Sequence, residues 1–176
     1  MPTYLGFLRA VNVGNRQVQM ATLRTHLEAA GFTDVETFIA SGNVKVTTPV
    51  RNADTVERAL ERELRACCGF EVPTVIRTPA QMRAAYDAAE TLAAPLGDDA
   101  RHYVALLRRQ PTDAAARRLD QWDRPGERAL VSGREVHLWL SSPRPSLTNA
   151  RVEKLLATTS TQRDWKTIAR IVSRWT

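Results

Sequence analysis

The chain has 176 residues, of which 43% are hydrophobic and 25% are charged, and its net charge is +6. This balance is typical of a soluble protein with one ordinary domain or two small ones. No apolar stretch approaches the ~20 residues of a membrane helix, and the first residues lack the pattern of a secretory leader. Cys67 and Cys68 are adjacent and have no further cysteine to pair with, so a disulfide scaffold is also excluded, and we expect a cytoplasmic protein.

The first half of the chain is predicted to fold in the order βαββαβ, followed by a further helix. Met20, Leu23 and Leu27 recur at helical spacing before a glycine, and the turn 41–43 separates two β-rich segments, as in a hairpin. The predicted strands are residues 4–9, 35–40, 44–48 and 72–77. The first helix is predicted to begin near Gln19, the second to span residues 53–68 before Gly69, and the third to begin at Pro79 after the cap Thr78.

The same order begins again after a connector, residues 91–100, that has neither a helical nor a strand period. Thr112 is predicted to cap one helix, Thr148 or Asn149 to cap another, and the turn 132–134 to join two strands. The predicted strands are residues 103–108, 129–131, 135–140 and 157–161, and the predicted helices end near Trp122, Leu156 and Trp175.

Matching segments relate the two halves. Residues 4–9 correspond to residues 103–108 at an offset of 99, and Ser41-Gly42 corresponds to Ser132-Gly133 at an offset of 91. We therefore predict an α+β fold of two diverged ferredoxin-like halves, each with a four-stranded antiparallel sheet and an extra helix. The predicted division is residues 1–90, the connector 91–100, and residues 101–176.

The falling offset locates the main difference between the halves. The first half holds eight more residues than the second between its first strand and its hairpin, and most of them lie in the polar loop 10–18. A polar loop added to a repeated scaffold is a preferred place for function, so we expect a ligand site there.

Three motifs resemble those of the DUF1697 family, a family without an assigned function. They are Arg-Ala-Val-Asn-Val-Gly at residues 9–14, Ala-Ser-Gly-Asn-Val at residues 40–44 and Arg-Asp-Trp-Lys-Thr at residues 163–167. The resemblance covers essentially the whole chain and implies an α+β fold, but it supplies no reaction. The positions that depart from the family pattern are Ala10, Val11, Asn15, Asp164 and Lys166.

The residue types in these motifs favour an anion site. A guanidinium, carboxamides and the N-terminus of the helix that follows the loop can together bind a phosphate or a carboxylate. The alternative is that the asparagines only stabilise turns, that Arg9 lies at a strand end with its charge in solvent, and that Trp165 is a core residue of the last helix. The candidate ligand contacts are Arg9, Asn12, Gly14, Arg16, Ser41, Asn43 and Arg163.

Neither a metal site nor a catalytic motif is evident in the sequence. His26, His102 and His137 lack the spacing of metal ligands, and we interpret them as structural. There is no phosphate-binding loop of the Gly-x₄-Gly-Lys type and no nucleophile motif, so we predict no cofactor, and the catalytic residues, if there are any, stay unknown.

The leading hypothesis is a binding module for a phosphorylated or carboxylated small molecule at the loop between the first strand and the first helix. One alternative is a small hydrolase or transferase acting on such a ligand. A second alternative is RNA or DNA binding through the second half, because residues 91–176 hold fifteen Arg and Lys against nine Asp and Glu. Arg outnumbers Lys by 22 to 3, which also fits a GC-rich genome, and the sequence does not indicate an oligomeric state.

Overall fold

The computed structural model describes residues 1–14, 16–97 and 99–176. It divides into two compact units: the first contains Met1–Met82 and Trp175–Thr176, and the second contains Arg83–Arg174. The structure is mixed α+β, with two antiparallel sheets and six helices among the described residues. The expected division of the sequence into related halves stays a prediction, because the two units are defined by compactness and not by ancestry.

The first unit contains a four-stranded sheet and two complete helices. The elements are β1 (Thr3–Leu8), α1 (Met20–Ala29), β2 (Thr33–Phe38), β3 (Asn43–Thr47), α2 (Ala53–Cys68) and β4 (Thr74–Arg77). The strands lie in the spatial order β2-β3-β1-β4. All pairings in this sheet are antiparallel, and Leu5 of the central strand β1 lies opposite Lys45 on one side and Arg77 on the other.

One apolar face of each helix closes the core of the first unit. Leu23 and Leu27 of α1 and Leu60 and Leu64 of α2 are fully buried, at the spacing of one helical face. Asn52 caps the start of α2, and Gly69 ends it in a left-handed conformation. The predicted bounds of this helix are therefore confirmed.

The second unit contains a five-stranded sheet. The elements are α3 (Pro79–Glu90, which begins in the first unit), β5 (Arg101–Leu107), α4 (Asp113–Asp120), β6 (Asp123–Arg124), β7 (Glu127–Ser132), β8 (Glu135–Leu140), α5 (Asn149–Leu156), β9 (Ser160–Asp164) and α6 (Trp165–Trp175). The strands lie in the spatial order β6-β7-β8-β5-β9. The prediction of four strands is wrong here, because the two-residue strand β6 pairs with the start of β7 at the edge.

The last predicted strand, residues 157–161, is also placed too early. Ala157 ends α5 in a left-handed conformation with φ 51°, and the amide of Thr158 still donates to the carbonyl of Glu153. These residues belong to a turn, so β9 begins only at Ser160 and continues to Asp164. Arg163 consequently lies within a strand and not in a loop before the last helix.

A buried carboxylate organises one end of the second sheet. Glu127 accepts hydrogen bonds from the Ser146 amide at 2.6 Å, the Ser146 hydroxyl at 2.9 Å, the Trp122 indole at 3.0 Å and the Leu147 amide at 3.2 Å. Burial alone raises the pKa of such a group, but these donors outweigh burial and lower it. Trp122 thus lies after the end of α4, which is at Asp120, and its indole N–H binds Glu127.

Among the described residues, no helix is both long enough and apolar enough to cross a membrane.

Candidate functional site

The loop between β1 and α1 has an unusual backbone. Ala10, Asn12 and Gly14 have φ values of 56°, 54° and 57°, which lie in the left-handed region. Only glycine adopts this region freely, and asparagine tolerates it better than alanine does. The amide of Arg16 donates to the carbonyl of Val13 at 3.2 Å, and Asn15 lies outside the described residues. The loop therefore has a tight, strained path and is not an open extended connection.

Asn12 holds this loop on both sides. Its side-chain Nδ2 donates to the carbonyl of Ala40 at 2.6 Å, and its Oδ1 accepts from the amide of Val18 at 2.7 Å. The first bond ties the loop to the turn between β2 and β3, and the second ties it to the segment that leads into α1. Both polar groups of the carboxamide are thus engaged within the protein.

The turn between β2 and β3 packs directly under the loop. Gly42 has φ 82°, and its carbonyl accepts from the amide of Leu8 at 2.8 Å. A Cβ atom at this position would lie 2.4 Å from Cγ2 of Val11 and 2.9 Å from Cβ of Leu8. No side chain fits there, so the close approach of loop and turn depends on this glycine.

The neighbours of Gly42 have different environments. Asn43 is fully buried, and its Nδ2 donates to the carbonyl of Phe38 at 2.9 Å and to the hydroxyl of Ser41 at 3.3 Å. Ser41 itself is exposed. Ile39 has φ 53°, which is a strained conformation for a β-branched residue. With Ala10 and Asn12, it makes a group of strained residues where the loop meets the turn.

Arg16 is the exposed cation of the loop. Its guanidinium carbon lies 5.1 Å from the centre of the Phe70 ring, which is within the range of a cation–π contact. Arg9 is half-buried at the end of β1, and its amide donates to the carbonyl of Pro73 at 2.9 Å. The side chains of Asn12, Asn43 and Ser41 and the backbone of Gly14 lie in the same loop and turn.

The start of α1 differs from the starts of other helices. Gln19, at its N-cap position, makes no side-chain cap hydrogen bond, and the first turn contains no acidic residue. In α2, α4 and α5 the side chains of Asn52, Thr112 and Thr148 each accept a backbone N–H. Within the described residues, α1 thus begins without the acceptor that these helices have, and its N-terminal dipole favours an anion.

Arg163 belongs to the second unit and is not part of this loop and turn. It is buried in β9, and its guanidinium donates to the hydroxyl of Thr161 and to the carbonyl of Gln162, both at 2.8 Å. Burial lowers the pKa of Arg163 to about 10.

Sequence reasoning missed an aromatic stack in the second unit. The rings stack in the order Tyr86, Trp165, His102, Trp139. The distances between the centres of successive rings are 4.8, 4.8 and 4.9 Å, and the angles between their planes are 5°, 23° and 12°. Trp165 is therefore a half-buried member of this stack and not the fully buried core residue that its spacing predicted. Ile168 and Val172, three and seven residues after Trp165 along α6, are buried.

The histidines interpreted as isolated include a pair. Nε2 of His102 lies 3.1 Å from Nδ1 of His137, within hydrogen-bonding distance. Burial lowers the pKa of each to about 4, although Asp164 partly opposes the shift at His102, so both rings are neutral near pH 7. The antiparallel pairing of β5 with β8 brings the two histidines together, because it places His102 opposite Trp139 and Val104 opposite His137. Only a prediction of this register from the sequence would have revealed the pair.

A sequence model of the family described as "Protein of unknown function (DUF1697)" matches residues 1–137. The chain belongs to the DUF1697 family. The match includes the first two motifs recognised in the sequence and ends before the third, at residues 163–167. Membership in DUF1697 establishes relatedness and names no reaction.

A solved structure agrees with the DUF1697 chain over nearly its full length. It is that of the conserved bacterial protein SP0830 from Streptococcus pneumoniae, with a TM-score of 0.75 and 23% sequence identity. The alignment covers 99% of this chain and 98% of that one. At this identity the likeness establishes the shared fold. A comparison with curated proteins gave no match.

Proposed function

We propose that this DUF1697 protein is a cytoplasmic binding module for a phosphorylated or carboxylated small molecule, which binds at the loop between β1 and α1. The observation that carries the proposal is the start of α1, where Gln19 provides no cap and no acidic residue follows in the first turn. Backbone N–H groups at an uncapped helix start are suited to an anion, and the exposed Arg16 adds a positive charge before them.

The other loop residues have positioning roles in this proposal. Asn12 fixes the loop against the turn and against the approach to α1. Asn43 and Ser41 hold the turn, and Gly14 provides a left-handed position in the loop. Arg9 anchors the end of β1 through its backbone, next to the place where the strained path begins. Arg163 lies in the second unit, and we leave it out of the proposed site.

We also infer that the two units are diverged copies of one ferredoxin-like βαββαβ fold. Without the edge strand β6, the order β7-β8-β5-β9 repeats β2-β3-β1-β4. Hydrogen bonds support the same correspondence. Glu61 of α2 accepts from the first amide of β4, at Thr74, at 2.9 Å, and Glu153 of α5 accepts from the first amide of β9, at Ser160, at 2.8 Å. If the units share an ancestor, the lengths of their first loops diverged after duplication.

The test is a thermal-shift titration with a panel of phosphorylated and carboxylated metabolites, with inorganic phosphate as the simplest member. A ligand at about 100 times its Kd stabilises the folded state by ~2.7 kcal/mol. We expect at least one member of the panel to stabilise the wild type and to give no stabilisation of the Arg16→Ala variant. Arg24→Ala is the matched control, because Arg24 is an exposed arginine of α1 that lies beyond the first turn of this helix.

A second variant tests the helix start directly. Gln19→Asp supplies the missing carboxylate cap, so it should raise the stability of the ligand-free protein by about 0.5–1 kcal/mol. The same carboxylate occupies the N–H groups and repels an anion, so ligand-induced stabilisation should disappear. Opposite effects on stability and on binding are not expected if the ligand binds elsewhere.

The alternatives predict different outcomes. A hydrolase or transferase would convert the ligand found by the screen, which product analysis detects. A nucleic-acid surface would lose affinity steeply as salt rises from about 50 to 200 mM, whereas a site that neutralises one or two charges would weaken modestly. Steep salt dependence that survives Arg16→Ala would place binding on other residues, such as the exposed Lys166, and would overturn the proposal.

A further inference from the structure

Two cavities of the second unit lie against the same aromatic rings. Their volumes are about 340 and 350 Å³, and both are lined by Ala100, His102 and Trp165. The first, which we call the ring cavity, has the size of a small-ligand pocket. Its lining includes Glu90, Ala94, Gly97, His102, Trp139 and Trp165.

The stacking of the rings determines what the ring cavity can contact. Trp165 stacks with both Tyr86 and His102, and His102 stacks with both Trp165 and Trp139. The faces of these two middle rings are thus engaged in stacking, and their edges are available to a ligand. Ring edges carry the positive end of the aromatic quadrupole and prefer the face of another ring. Cations prefer ring faces, and the faces of Trp165 and His102 already stack on other rings.

The polar groups of the ring cavity are limited in kind. His102 and its partner His137 are neutral near pH 7, because burial lowers the pKa of each, so the rings do not attract an anion. Glu90 is exposed at the wall and accepts a hydrogen bond from the hydroxyl of Tyr86, which raises the pKa of Tyr86. A carboxylate of this kind can accept a further N–H from a ligand.

We propose that the ring cavity is a second binding site, specific for a planar aromatic nitrogen heterocycle that carries an N–H or amino group. The ring of the ligand lies across the edges of His102 and Trp165, and its N–H donates to the carboxylate of Glu90. All the residues of this site belong to the second unit, so it shares no residue with the anion site proposed at the loop.

The test uses 4-aminoquinazoline, adenine and 2-aminopyridine as probes and cyclohexylamine as the saturated control. Binding is followed by calorimetry and by the tryptophan indole N–H signals in NMR spectra of the full chain. We expect saturable binding of at least one planar probe, with shifts in the indole signals of Trp139 and Trp165, and no binding of cyclohexylamine. Glu90→Gln should weaken the planar probe several-fold.

Adjacent alanines of the connector provide a matched pair of variants. Ala94 lines the ring cavity and Ala93 does not, and both are exposed, so a larger side chain at either position should leave folding intact. Ala94→Leu should reduce the affinity at least tenfold, while Ala93→Leu should leave it unchanged. The proposal is wrong if no planar probe binds saturably, if cyclohexylamine binds equally well, or if the two variants behave alike.

Discussion

The two units reach the end of their central strands in the same way and then diverge. In the first unit the amides of Leu8 and Arg9 donate to the carbonyls of Gly42 and Pro73 at 2.8 and 2.9 Å. In the second unit the amides of Leu107 and Arg108 donate to the carbonyls of Arg134 and Thr159 at the same two distances.

Beyond these bonds the paths differ. The second unit needs only residues 108–112 before α4 begins with a threonine cap. The first unit uses residues 9–19, with three left-handed positions among those that the structure describes, and begins α1 without a side-chain cap. The scaffold does not require the long path, so the difference indicates that the loop of the first unit was shaped by a requirement other than folding.

The largest expected loss of stability comes from a substitution at Gly42, and the hairpin glycine of the second unit, Gly133, is its comparison. Gly42→Ala places a Cβ atom against Val11 and Leu8 and forces alanine into a left-handed conformation, so it should destabilise by about 2–5 kcal/mol. Gly133 also has a positive φ, at 60°, but has no atom within 4 Å of an added Cβ. Gly133→Ala should therefore destabilise by only about 1 kcal/mol, as measured by urea unfolding. Equal losses would show that the turn does not support the loop.

The glutamates at the starts of β4 and β9 test the shared part of the scaffold. Glu61→Ala and Glu153→Ala each leave the first amide of a strand without its carboxylate acceptor. Each should destabilise by roughly 1–3 kcal/mol, and the two losses should be similar. Calorimetric unfolding of both variants makes this comparison. A large loss in one and none in the other would contradict the correspondence of the units.

Asn12 and Arg16 separate structural from ligand-binding contributions within the loop. Asn12→Ala removes two hydrogen bonds and leaves alanine at a φ of 54°, so it should destabilise the ligand-free protein by about 1–2 kcal/mol. Arg16→Ala should change stability by less than about 0.5 kcal/mol, because the side chain is exposed. Thermal unfolding without ligand measures both, and a large loss for Arg16→Ala would give it a structural role.

The last prediction concerns the pH dependence of stability that the histidine pair of the second unit causes. The pKa of His102 and of His137 is lowered from 6.5 to about 4, so the unfolded chain takes up protons before the folded one does. The stability that the two neutral histidines contribute is fully present above pH ~6.5 and is lost as the pH falls toward 4. Between about pH 7.5 and 6, with allowance for partial exposure, the loss should be below about 1 kcal/mol per histidine. His137→Gln should flatten this dependence, and an unchanged slope would argue against the pair.

The sequence predicted those parts of the fold that depend on local patterns. Apolar spacing and the glycine at position 69 predicted α2 at its observed bounds, because a helix needs only its own residues to reveal an apolar face. β6 was missed because two residues carry no period. β9 was placed too early because the left-handed end of α5 at Ala157 has no glycine to mark it.

The candidate site was only partly visible for a related reason. The loop and the turn could be selected by residue type, but the roles of Asn12 and Asn43 depend on carbonyl partners supplied by the folded backbone. The aromatic stack joins residues from α3, β5, β8 and α6. No spacing rule along the chain indicates such a group, since it depends on how the strands pair and where the helices lie.

The strained residues of the first unit imply that this protein is not at its maximum stability. Ile39 is 38% exposed and has a positive φ, so Ile39→Asn or Ile39→Gly would relieve the strain with little loss of packing. Proteins commonly keep such conformations where an activity depends on them, and stabilising changes there tend to reduce that activity. Selection for thermostability in the laboratory should therefore accumulate substitutions at residues 10 and 39, and the activity lost along the way would identify what the loop was selected to do.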